Sequence, residues 1–192
     1  MNLDHALLVW INQGWASPAL DEFFLWVSGR AAFSVPLMLV ILFDWHRRTG
    51  RAGVRLWFFL LALILFGDTL GNLLKDLFQE ARPCFDYYQA LRAPRHDGLY
   101  QCGDARAGLP SNHTLNFVLA ALFVTLATPW RGWHGVLWVV ALAVGLSRIY
   151  LGKHYPSQVL AGAWFGVLFA ALGYRIALRL GFTLSTPSGP KP

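Results

Sequence analysis

Six side chains able to bind or attack a highly charged anion lie in three separate stretches of the chain. They are Lys75 and Arg82 in "KDLFQEARP", Ser111 and His113 in "PSNHT", and Arg148 and His154 in "SRIYLGKHYPSQV". Lysine and arginine hold phosphate-like oxygens through charge-assisted hydrogen bonds. Histidine can donate a proton, accept one, or attack as a nucleophile. Ser111 is a good N-cap, and His113 then falls in the first helical turn. Backbone N–H groups there lack partners inside the helix and point outward, ready for an anion. Taken singly, each residue has a bland explanation. A lone Lys or Arg near the end of an apolar helix snorkels to the interface, and a lone histidine there is structural. Occurring together at one membrane face, they argue for one site. The two histidines have no third ligand at a sensible spacing, so neither a metal nor any other cofactor is expected. The triplet "NHT" matches a glycosylation acceptor, but Asn112 stands too close to a helix start to be reached.

The elements that must carry these residues are membrane helices. Of 192 residues, 56% are hydrophobic and 14% charged, against about 25% charged in a soluble domain. The net charge of +6 is spread between apolar segments, as membrane topology requires, so no nucleic-acid partner is expected. Strong apolar segments run over 31–45, 54–79, 113–128, 133–150 and 157–178, with a weaker one at 17–29. This pattern predicts an all-α bundle of five to six transmembrane helices. The weaker segment is either a sixth helix or a short helix feeding the next one. Residues 3–11 read as an amphipathic interfacial helix, and no cleavable leader is expected from a start that carries Asp4 and no basic residues. Residues 1–182 form one domain, and 183–192, "TLSTPSGPKP", a flexible tail. Gly162 and Gly166 form a GxxxG that suits close helix packing.

Topology brings the three stretches to one level. The linkers holding Arg47, Arg48, Arg51, Arg55 and Arg131 are short, and short basic linkers favour the cytoplasm. The long loop 80–112 is then outside, with the end of the second strong helix, the starts of the third and fifth, and the end of the fourth. Asp68, Asn72 and Lys75 share one helix face. Arg82 continues that spacing if the helix persists to Pro83. Cys84 and Cys102 then meet an oxidising compartment, where a disulfide is expected.

The three stretches resemble the signature motifs of the type 2 phosphatidic acid phosphatase superfamily: K-x6-R-P, P-S-G-H and S-R-x5-H-x3-D. The resemblance covers residues 75 to 158, in order and with the internal spacings kept. It implies a metal-free lipid phosphatase or pyrophosphatase. His154 would be the nucleophile that forms a phosphohistidine, and His113 the acid that protonates the leaving oxygen. Lys75, Arg82 and Arg148 would clamp the phosphoryl oxygens, with help from Ser111 and from backbone N–H groups near Asn112. The soluble haloperoxidase branch is excluded by the apolar spans. By analogy the substrate is a membrane lipid phosphate, undecaprenyl pyrophosphate before phosphatidylglycerol phosphate, phosphatidic acid or lipid A phosphate. The analogy places the chain in a bacterial inner membrane with its site facing the periplasm. A reading of another class is non-hydrolytic binding or transport of a lipid phosphate.

Two positions depart from the motifs. Asn112 replaces the glycine; asparagine tolerates positive φ better than most residues, so the turn is expected to survive, with the side chain narrowing the pocket or adding a donor. Gln158 replaces the aspartate that would accept Nδ1–H of the nucleophile. Its carbonyl oxygen can fix the tautomer, but it brings no negative charge, and its amide can in principle be turned either way.

Overall fold

A computed structural model describes residues 3–86, 91–92, 102, 104–182 and 184. Apart from Leu184, the tail expected at 183–192 lies outside the described residues. Eight α-helices follow in order: α1 (Leu3–Gly14), α2 (Pro18–Val27), α3 (Val35–Thr49), α4 (Arg51–Phe78), α5 (Pro83–Asp86), α6 (Asn112–Ala127), α7 (Arg131–Tyr150) and α8 (Pro156–Arg179). No strand occurs among the described residues.

Local chemistry sets the boundaries that matter for the site. Ser17 caps α2 by accepting the Leu20 N–H (3.3 Å), and Pro18 opens the helix. A π-helical turn over Arg30–Ser34 then joins α2 to α3, and the two directions differ by 73°. The weak segment is therefore a short helix feeding the next one, and Arg30 sits at the bend. Helix α4 stops at Phe78 because Gln79 adopts a left-handed conformation (φ 48°) and caps the Lys75 carbonyl at 2.8 Å. Arg82 therefore does not continue the α4 face; the loop beyond the helix delivers it.

By length and composition α4, α7 and α8 can cross a membrane, and the bent α2–α3 pair makes a fourth span if taken as one. The expected count of five adds α6 to these four, and six would require the bent pair to be two separate spans. At 16 residues, α6 is about 24 Å long at 1.5 Å per residue. It is the centre of the bundle: Leu115, Leu119 and Phe123 are fully buried, with α4, α7 and α8 around it. The outside is the reverse of a soluble protein. Leu77, Val139 and Leu160 are each more than two-thirds exposed, an arrangement suited to hydrocarbon rather than water.

Helices α6 and α8 touch at backbone distance. A Cβ on Gly162 would meet the Ser111 carbonyl at 2.5 Å, and one on Gly166 the Leu115 carbonyl at 2.6 Å. The GxxxG is thus a packing device, and it also positions the site, because Ser111 N–H donates to the Gln158 carbonyl at 3.1 Å.

The segment between α4 and α6 is tied down at two places. Cys84 and Cys102 are bonded, with Cα atoms 6.0 Å apart. The fully buried Asn12 donates to the carbonyls of Arg92 and Tyr150, both at 2.7 Å, and accepts the Arg92 N–H at 2.8 Å. The Arg92 guanidinium also pairs with Asp21 and donates to the Tyr150 hydroxyl. Replacing both cysteines by alanine is expected to remove about 3 kcal/mol of stability by releasing the closed loop. It should also weaken substrate binding, since Arg82 is held beside that bond. Thermal unfolding in detergent and KM check the two effects.

Candidate active site

The loop between α7 and α8 is a helix C-terminus folded back on itself. Gly152 takes a positive φ (65°), its N–H donating to the Ile149 carbonyl at 2.9 Å, while the N–H of Lys153 donates to the Arg148 carbonyl at 2.9 Å. This pair of bonds is the Schellman arrangement, which needs glycine at that point. The His154 N–H reaches the same Arg148 carbonyl at 3.1 Å. The spacing from Arg148 to His154 is therefore one helix cap, and it locks the arginine to the histidine. Arg148 is 4% exposed and donates from Nη1 to the Ser28 hydroxyl.

His154 is 2% exposed. Its Nδ1 faces two oxygens, the Gly108 carbonyl at 2.8 Å and Gln158 Oε1 at 3.3 Å. Both are acceptors, so Nδ1 carries the hydrogen and Nε2 keeps its lone pair. Three contacts fix the Gln158 amide. Oε1 accepts the Tyr155 N–H (3.3 Å), while Nε2 donates to the Ala81 carbonyl (2.8 Å) and to Glu80 Oε2 (3.2 Å). The backbone carbonyl of Gly108, not the side chain at 158, is the nearest partner of the imidazole. Sequence reasoning could not see it, because any residue type offers a carbonyl.

Burial pushes the His154 imidazole well below its usual range; Arg148, Arg82 and Lys75 push the same way, against the Gly108 hydrogen bond. The ring is thus neutral at neutral pH. Burial first, then Arg148 and Arg82, bring Lys153 down to about 8. Lys153, unexplained in the sequence, is therefore a half-buried cation of the site. KM is expected to rise as pH passes upward through about 8, where Lys153 loses its charge, and Lys153→Arg should flatten that rise. A plot of log KM against pH with and without the substitution decides it.

The other residues converge on the same place. The charges of Arg148, Arg30, Lys153 and Lys75 all act on His113, and those of Arg82, Asp68, Arg148 and Arg30 on Lys75. Arg82 is set by its surroundings: Nε donates to the Ala107 carbonyl (3.2 Å), Nη1 to the Cys102 carbonyl (3.0 Å), and its N–H to the Ala105 carbonyl (3.0 Å). Ser111 stands at the N-cap position of α6 in an extended conformation without a side-chain cap bond, and its hydroxyl accepts from the Thr114 hydroxyl (3.1 Å). Arg30 belongs to no motif; its signal was a lone charge between two apolar stretches.

Asn112 behaves differently from expectation. It is helical, and Gln79 is the one non-glycine residue with positive φ among the described residues. The question of whether asparagine tolerates that turn therefore does not arise. The side chain points into α4, donating to Asp68 Oδ1 (3.1 Å) and Asn72 Oδ1 (2.9 Å). It fits because Gly71 opposite has no Cβ. Asn116 donates to the same Asp68 carboxylate at 3.2 Å.

Below His113 a cavity of about 330 Å³ runs between α3, α4, α6 and α7. Arg30, Asp68, His113 and Asn116 form its polar end; Met38, Ile41, Ile64 and Phe117 are among its apolar walls.

A cation-ringed pair of histidines at one end of an apolar cavity, inside a helical membrane bundle, defines a membrane phosphatase, a hydrolase of phosphate esters. The chain belongs to the PAP2 superfamily, whose sequence model matches residues 55–182. It is 30% identical over 147 residues to the bacitracin transport permease protein BcrC of Bacillus licheniformis, covering 76% of this chain and 67% of that one. It is also 30% identical over 156 residues to YbjG of Escherichia coli K12, provisionally described as an undecaprenyl-diphosphatase, covering 76% and 72%. In fold it is similar to the crystal structure of Aquifex aeolicus LpxE, with a TM-score of 0.68 at 22% identity over 91% of this chain and 96% of that one.

Proposed function

We propose that the chain removes phosphate from the pyrophosphate head group of a membrane lipid through a phosphohistidine, with undecaprenyl pyrophosphate as the leading substrate. The observation that carries this reading is the charge around His113 and His154. Arg30, Lys75, Arg82, Arg148 and Lys153 surround the two histidines, more positive charge than one phosphate dianion neutralises. Phosphoryl transfer depends mostly on positioning and charge stabilisation, and these side chains provide both without a metal. The apolar cavity beside His113 receives the first part of the hydrocarbon chain, and the E. coli relative supports the choice of lipid.

The neutral Nε2 of His154 attacks the terminal phosphorus. The bond from that phosphorus to the bridging oxygen breaks, and His113 gives its proton to the leaving lipid monophosphate. The imidazole then carries positive charge, with Nδ1–H held by Gly108 and Gln158. In the second half His113 takes a proton from water, whose oxygen displaces His154 and releases phosphate. The site faces the periplasm of the inner membrane in this reading.

The test is phosphate release by the purified chain in detergent with a chelator present. The panel is undecaprenyl pyrophosphate, phosphatidylglycerol phosphate, phosphatidic acid and lipid A. Release is expected from all lipids that fit the cavity and fastest from the pyrophosphate. A faster monophosphate moves the substrate assignment; activity that needs added magnesium overturns the mechanism.

A further inference from the structure

Gln158 is 1% exposed, and its buried amide joins two groups that do not touch each other in sequence or space. One end faces His154 Nδ1; the other donates to Glu80 Oε2. We propose that Glu80 is a positioning residue of the reaction, acting through the Gln158 amide to orient the His154 imidazole and to supply negative charge behind it. The inference rests on the reading of His154 as the nucleophile.

The geometry admits one amide orientation. A flipped amide would set Nε2 against the Tyr155 N–H and Oε1 against the Ala81 carbonyl and the Glu80 carboxylate, replacing three attractive contacts by three repulsive ones. The Ala81 carbonyl is the nearest of these partners, and the Glu80 carboxylate, on an exposed residue, is the one that brings negative charge. Glu80 is placed by backbone, since its carbonyl accepts the Gly108 N–H at 2.9 Å. The same Gly108 offers its own carbonyl to His154. A Cβ on Gly108 would meet Gln158 Nε2 at 2.5 Å and the Ala81 carbonyl at 2.6 Å, so the close stacking of residues 80–81, 108 and 158 requires glycine there. One unit thus holds both partners of Nδ1.

The charge matters at a definite moment. When Nε2 bonds to phosphorus the imidazole becomes cationic, inside a site already crowded with cations. A neutral amide alone answers that poorly. An amide whose NH2 is bound to a carboxylate is polarised, and its oxygen becomes more negative. The outer side of Glu80 borders a polar cavity of about 300 Å³ shared with Asp4, His5, Asp86, Tyr155 and Ser157. Asp86 lies in that cavity and bonds to the Tyr155 hydroxyl at 3.1 Å, so it serves as a comparison carboxylate.

The experiment measures kcat and KM of the full chain on phosphatidic acid in detergent micelles for Glu80→Gln, Asp86→Asn and His154→Ala, with the thermal midpoint of each. Glu80→Gln keeps an acceptor and loses the charge; kcat is expected to fall about tenfold, the gap between charged and neutral hydrogen bonding. KM should stay within twofold and the midpoint unchanged, because Glu80 touches no phosphate. Asp86→Asn should leave kcat within twofold. A fall in kcat below threefold for Glu80→Gln, a loss seen in KM instead, or an equal loss for Asp86→Asn overturns the inference. His154→Ala separates the two levels. If it is inactive while Glu80→Gln turns over normally, only the role of Glu80 falls; if it remains active, the reading of the nucleophile falls with it.

Discussion

His154→Ala lowers turnover by about 10⁴-fold or more, the scale seen when a covalent nucleophile is removed and the rest of a site is left intact. Nothing nearby substitutes for it. His113, at the start of α6, has the proton exchange with the leaving oxygen as its role in the proposed mechanism. The clamp of Lys75, Arg82, Arg148 and Lys153 survives the change, so lipid phosphate still binds. The variant should therefore lose kcat and keep KM within a few fold. Stability falls too, by about 1–3 kcal/mol, because the Gly108 carbonyl loses a buried donor. Single-turnover phosphate release is the measurement, beside an alkaline denaturing quench of the native chain to trap the base-stable, acid-labile phosphoryl group on His154. More than one percent residual turnover would remove His154 from the nucleophile's role.

Arg148→Lys is the second large effect, a fall in kcat of about 10²-fold. Arginines that stabilise a transferring phosphoryl group contribute about 10³–10⁵; lysine keeps the charge and loses the fork. The backbone device is untouched, since any residue at 148 offers the carbonyl that holds the N–H groups of Lys153 and His154. What changes is the guanidinium: Nη1 is fixed by Ser28, and the whole side chain is buried. An ammonium at the end of a flexible stem cannot keep the Ser28 contact and face the phosphate together. Steady-state kinetics with a circular dichroism control suffice. A loss under fivefold would mean that charge alone is used at this position.

Much of this was legible in the sequence because the decisive signals are local. The cap that joins Arg148 to His154 is written in consecutive residues with a glycine at its turn. The proline that opens α8 and the serine before α6 mark helix starts within a residue. The small residues at 162 and 166 mark the closest helix contact. Other features were hidden for equally physical reasons. Arg82 is displaced from the α4 face by one left-handed residue, Gln79, that no periodicity announces. Arg30 reaches the site only because the chain bends by 73° beside it. The 16-residue α6 could not be told from a lipid-facing helix, because an apolar helix inside a bundle has the same composition as one facing lipid.

By itself the sequence determined the class of the protein, the three motif segments and the two histidines that identify the chemistry, since composition and short spacing are properties of the chain alone. Only the tertiary structure decided what surrounds them. It made Gly108 the first partner of His154, turned Asn112 into α4 and away from a turn it was expected to form, and set Glu80 behind Gln158. Each of these is a contact between segments distant in the chain, or uses a backbone group that every residue carries. Their identity follows from packing, and packing is specified by the whole bundle at once.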